Sequence, residues 1–146
     1  MNSKKKPLSA IVPRVLIGLV TFFNLDAAFS FLFNPKGYSA GFELSGSAGD
    51  AVIQGMGLLF LMWNIPYLVA LINPFRYRVS LIEAVIMQAV GVVGETILLL
   101  NLKGQHPLIQ ASVIRFILFD GSGLILLAAA LILVLLKQKQ EATRIT

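Results

Sequence analysis

An all-α fold, an integral membrane bundle of four helices, is what the sequence predicts, and three observations carry it. Hydrophobic residues make up 57% of the 146 positions and charged residues only 13%, a balance far from that of an ordinary globular domain. The apolar residues gather into four runs, each close to the roughly 20 residues that cross about 30 Å of hydrocarbon. The connections between the runs are short, so residues 1–146 read as a single membrane domain.

The first span covers approximately residues 8–33. Lys4, Lys5 and Lys6 precede it as they would a cleaved signal. The run is nevertheless too long for a signal core, carries Asp26, and is followed by no small-x-small cleavage site, so it reads as a membrane helix. The second span covers approximately residues 49–72. In its WNIPY stretch, Pro66 removes a backbone donor and is expected to kink the helix near the Met62 carbonyl, with the Asn64 amide able to satisfy a freed group. The turn from Asn73 to Arg78 makes this span an antiparallel neighbour of the third, approximately residues 79–102, with Tyr77 at interfacial depth. The fourth span covers approximately residues 111–136. The longest connection, NPKGYSAGFELSGSAGD, has the composition of a flexible surface loop. A sharper alternative is a short amphipathic piece around Phe42 and Leu44 that folds over the outer mouth as a lid.

Orientation follows from the twelve basic residues, because cytoplasmic flanks are enriched in Lys and Arg. Lys4, Lys5, Lys6, Arg14, Arg76, Arg78, Lys137, Lys139 and Arg144 fall on one side, whereas Lys36 and Lys103 stand alone in the opposite loops. Both termini are therefore expected in the cytoplasm. The net charge of +5 reads as topology and attraction to the lipid bilayer, and nucleic acid is not an expected partner. With no cysteine, the chain has no disulfide or thiol redox chemistry. A single histidine, His106, builds no haem or zinc site by itself.

At 1.5 Å per residue, Asp26, Gln54, Glu95, Arg115 and Asp120 fall in one band about 6 to 14 Å beneath the outer surface. The inner half holds less: Asn64, Gln88 near the middle, and Glu83 close enough to the cytoplasmic face to be wet. Asn24 stands two residues from Asp26 as a further polar group. Ionisable groups at such depth cost roughly 2.5 to 3.5 kcal/mol each on insertion scales, so they face the bundle interior or a hydrated cavity and find partners. Arg115 is the natural partner for a carboxylate. Asp120 lies about 140° round the same helix, so Glu95 or Asp26 is the expected mate. Any acid left over needs a proton or a cation. Gln54, Asn64 and Gln88 read first as hydrogen-bonding glue between helices; the charged set reads as a polar pocket opening outward. Gly55, Gly57, Gly91, Gly94, Gly121 and Gly123 flank these residues, and small side chains let helices approach. Phe22, Phe23, Phe29, Phe31 and Phe33 surround Asp26 on several faces, mostly as lipid-facing anchors, with one or two available to line an apolar site.

The opening PRVLIGLVTFFNLDAAFSFLFNP, with an arginine at the start of the span, then Gly18, then an outer loop rich in small residues, resembles the DoxX-like superfamily of small four-helix bacterial membrane proteins. The resemblance implies a four-helix bundle in the bacterial inner membrane with both termini inside, and some relatives are associated with quinone-linked redox complexes. No catalytic motif of that group matches residue by residue, so no site residue is carried over from it. The expected function is therefore a pocket that binds or acts on a lipid-like or quinone-like molecule. The alternatives are an accessory subunit of a larger membrane complex, with a protein partner or a second copy against the charged layer, and a small proton- or cation-coupled transporter. No nucleophile or metal set singles out a catalytic residue, a cofactor or a metal.

Overall fold

The computed structural model describes residues 11–144. Among them the chain is helical: α1 (Ile11–Phe33), a four-residue α2 (Lys36–Ser39) running into a 3-10 turn (Ala40–Phe42), α3 (Gly46–Ile72), α4 (Arg78–Leu102) and α5 (Pro107–Thr143). Four of these helices are long and apolar enough to cross a membrane. The start of the first run and the Lys4 to Lys6 cluster lie outside the described residues.

Local chemistry sets the ends. α1 runs to the Asn34-Pro35 pair, where proline disfavours a helical residue before it. After α3, Asn73 Oδ1 accepts from the backbone N–H groups of Phe75 and Arg76, each at 3.2 Å, and holds the turn. α4 stops where Lys103 and Gly104 enter the left-handed region, at φ 46° and 80°. Pro107, with its fixed φ, opens α5. α5 outlasts its apolar run because the polar tail is rich in good helix formers and is tied back to the bundle. Gln138 Nε2 donates to Phe75 O at 3.1 Å, and the Lys137 ammonium stands 4.7 Å from the Phe75 ring centroid.

The four long helices form a ring in which α1 and α4 each neighbour both α3 and α5. α1 packs most extensively on α3, and α4 on α5, so the bundle is two antiparallel hairpins set side by side. At one end Arg14 donates to Ile72 O at 2.8 Å, beside the Phe75 and Gln138 contacts. At the other, the 3-10 turn after α2 meets the start of α5, where Ser112 Oγ donates to Gly41 O at 2.7 Å.

The end near Arg14 is filled. Ile17, Leu81, Ala84, Leu127, Ala130 and Val134 are fully buried there, with Val20, Tyr67 and Ala70 in the same cluster. The outside is apolar as well: Leu100 and Ile125 are each 71% exposed, a pattern that suits lipid rather than water. Of the five phenylalanines around Asp26, Phe22, Phe23, Phe29 and Phe33 point outward and Phe31 is buried.

A roofed cavity in one half of the bundle as the candidate functional site

The half of the bundle away from Arg14 holds a cavity of about 320 Å³. One wall is polar. The Tyr67 hydroxyl donates to Gln88 Oε1 at 2.6 Å and lies 3.2 Å from Ala84 O. Gln88 Nε2 in turn donates to Asp120 Oδ1 at 2.8 Å and reaches the Asp120 carbonyl at 3.2 Å. A chain of hydrogen bonds thus joins α3, α4 and α5. Glycine makes the close approach possible: a Cβ on Gly91 would lie 2.8 Å from Asp120 Oδ2, and one on Gly123 would lie 2.8 Å from Gln88 Nε2. Asn64, 1% exposed, stands beside Tyr67. Its Nδ2 donates to Phe60 O at 2.7 Å, and its Oδ1 is buried with no partner among the described residues. The amide therefore takes the Phe60 carbonyl, not the Met62 carbonyl whose helical donor Pro66 lacks.

The facing wall is aromatic. Phe31 is its hub, with ring centroids 4.7 Å from Tyr38, 5.6 Å from Phe60, 6.1 Å from Phe116 and 6.4 Å from Phe42. Such spacings suit tilted and edge-to-face packing. Trp63 and Phe119 complete the apolar lining.

The loop between α1 and α3 forms a roof rather than a free loop. Gly37, Tyr38, Gly41 and Phe42 all line the cavity, and Phe42 packs 6.0 Å from Phe116. Two polar contacts pin the roof: Ser112 to Gly41 O, and His106 Nδ1 to Glu43 Oε2 at 2.7 Å. Glu43 sits at φ 56°, a left-handed conformation that costs a non-glycine residue about 1 to 2 kcal/mol. The lid alternative describes this segment, which covers the end of the cavity away from Arg14.

The polar residues singled out in the sequence do not all meet. Asp26, Arg115 and Asp120 line the cavity, together with Asn24, Asn64 and Gln88. Gln54 does not: its Nε2 donates to Leu32 O at 3.2 Å and ties α3 to the last turn of α1. Glu95 does not either. It packs behind Asp120, carboxyl to carboxyl, with Oε2 buried and without a donor. The expected ion pair of Arg115 is absent: the one ion pair among the described residues is His106 with Glu43. Of the two expected mates, Glu95 lies against Asp120 instead, and Asp26 shares the cavity with Arg115 without forming an ion pair among the described residues.

Tyr67, Ser112, Phe60 and Phe116 are among the lining residues that the sequence reading missed, whereas Phe31 is one of the phenylalanines it left available to line an apolar site. Tyr67 was within reach of that reading, since Phe60, Asn64 and Tyr67 fall at four- and three-residue spacing on one helix face. Phe116 comes from a distant element and carries no local signal, whereas Phe42 was marked only as part of a lid. Among the described residues, no group of three or more His, Cys, Asp or Glu side chains gathers as a metal site. Comparison with protein-family models, curated proteins and solved structures finds no match to this chain.

Proposed function

We propose that this multi-pass membrane protein binds a lipid-like or quinone-like small molecule in the outer half of its bundle, with both termini in the cytoplasm of a bacterial cell. One observation carries the reading: a cavity of about 320 Å³ with a hydrogen-bonded polar wall at Asp120 and Gln88 facing an aromatic wall centred on Phe31. That volume lies at the small end of the roughly 300 to 1,000 Å³ typical of ligand pockets, so it suits a ring or a headgroup with its tail left outside. Asp120 is the carboxyl inside the cavity whose position is fixed by a neighbour's amide, and it is the group assigned to a polar head.

The orientation rests on charge. Arg14, Arg76, Arg78, Lys137, Lys139 and Arg144 collect at the filled end, and Lys36 and Lys103 belong to the loops at the roofed end. A DoxX-like relationship and an inner-membrane location belong to the same proposal, on the layout of α1 and the loop after it. The transporter alternative is disfavoured by the fully buried apolar side chains of Ile17, Leu81, Leu127 and Val134, which fill the inner half where a polar path would run.

The test is native mass spectrometry of the protein released gently from its own membrane, followed by organic extraction. A stoichiometric small molecule that Asp120→Asn loses, with thermal stability kept, is the expected result. An empty wild-type chain would sink the reading.

A further inference from the structure

Asp26 on α1 and Arg115 on α5 both line the cavity, and both are exposed at its edge. Neither makes an ion pair or a side-chain hydrogen bond among the described residues. Their heights are nearly the same. Val20 of α1 meets Gly123 of α5, where an added Cβ would lie 3.4 Å from Val20 Cγ1. Antiparallel pairing from that contact sets Asp26 level with Ile117, two residues from Arg115, or about 3 Å along the axis. Two opposite charges thus stand on one cavity at one depth, and the protein leaves both unpaired.

We propose that the cavity takes a zwitterionic headgroup, with a phosphodiester on the Arg115 guanidinium and an ammonium on the Asp26 carboxylate. This rests on the pocket reading above and names the ligand class for it. Asp120, also on the cavity, already takes the Gln88 amide and can accept from the same head, so the two charges left without a partner select the zwitterion. At membrane depth each unpaired charge is costly, and an anion alone would leave Asp26 unpaired, as a cation alone would leave Arg115. A guanidinium offers the planar fork that matches a phosphate. The aromatic wall at Phe31, Phe42 and Phe116 adds ring faces that attract an ammonium. The volume admits a headgroup and excludes acyl chains, which would leave between α1 and α5 along exposed Ile114 and Leu118. A zwitterionic phospholipid and a soluble amino-alcohol phosphodiester share this chemistry.

The test reconstitutes the full chain in nanodiscs with equal parts of phosphatidylethanolamine and phosphatidylglycerol and identifies by native mass spectrometry what stays bound. Wild type is expected to retain one phosphatidylethanolamine in about tenfold preference. Asp26→Asn is expected to lose that preference while still retaining lipid, and Arg115→Gln to lose retention of both lipids, with Arg115→Lys restoring part of it. Unchanged melting temperatures separate these effects from misfolding. Glycerophosphoethanolamine offered in lipid-free detergent separates the sources: its binding assigns the site to a soluble ligand, and binding of the lipid alone assigns it to the bilayer, each in support. Equal retention of both lipids, or a preference that survives Asp26→Asn, overturns the zwitterion. A quinone or sterol held in place of phospholipid overturns it too and leaves the pocket reading standing, whereas an empty cavity in every arm overturns both.

Discussion

Gln88 Nε2 donates to Asp120 Oδ1 at 2.8 Å while Gln88 Oε1 accepts the Tyr67 hydroxyl at 2.6 Å. The two contacts fix which way the amide faces, and Gln88 is only 4% exposed, so neither end has water as a substitute. Tyr67→Phe strands a buried acceptor and is expected to lower stability by about 1 to 3 kcal/mol. Paired with Gln88→Leu in a double-mutant cycle, it should be non-additive by about 0.6 kcal/mol, the average for hydrogen bonds between membrane helices, whose measured maximum is about 1.7 kcal/mol. Thermal unfolding in detergent measures both, and additive losses would mean that the hydroxyl and the amide do not act together.

The same node depends on a missing side chain. Gly91→Ala places a methyl 2.8 Å from Asp120 Oδ2 and must push the carboxyl off Gln88. A lower melting temperature and weaker ligand retention are expected. Gly94→Ala on the same helix meets nothing within 4 Å, so it is expected to be neutral or stabilising by up to about 1 kcal/mol. Equal melting temperatures for the two variants would show that the approach of Asp120 to α4 does not matter.

A second glycine tests the α1–α3 hairpin. A Cβ on Gly57 would lie 2.8 Å from Ala28 O and 3.0 Å from Leu32 N, both backbone atoms that cannot swing aside. Gly57→Ala is expected to cost about 1 to 3 kcal/mol as the helices part. Gly55→Ala, with open space around its Cβ, is the control. A Gly57→Ala protein as stable as the control would place the hairpin's tolerance well above that of a close-packed interface.

The spans were legible because bilayer thickness imposes one length on every crossing, and each apolar run falls on one long helix, with α5 running past the end of its own. Facing was not. Whether Gln54 turns to Leu32 O or into the cavity, and whether Asp120 meets Arg115 or Gln88, depends on what the neighbouring helix offers at that height. Gly91 decides the second case from another helix altogether. The roof was only half legible: the glycines of the loop suggest freedom, while Phe42 finds Phe31 and Phe116 only after the helices have assembled.

The roof should loosen without the bundle doing so. His106 and Glu43 are 48% and 31% exposed, and an exposed pair contributes about 0 to 1 kcal/mol to global stability. His106→Ala is therefore expected to leave the melting temperature nearly unchanged while speeding amide exchange at Glu43 and Leu44, whose N–H groups are held by Ala40 O and Ser39 O. Exchange at those two amides equal to wild type would mean that Ser112 and the Phe42 packing hold the roof alone.

Asn64 separates binding from stability most sharply. Its amide satisfies Phe60 O with one end and leaves Oδ1 buried without a donor at the other. In Asn64→Leu the lost hydrogen bond is one that a helix carbonyl, already paired in its own ladder, does not need. The orphaned acceptor, which costs about 1 to 3 kcal/mol where nothing meets it, goes with it. Stability should therefore change by less than about 1 kcal/mol or rise. Ligand retention should fall, because a bound donor is the partner that Oδ1 lacks. Measured on one preparation by unfolding and native mass spectrometry, the two quantities should move apart. A protein that loses stability and keeps its ligand would assign Asn64 to holding α3 together at Pro66, with no part in the cavity.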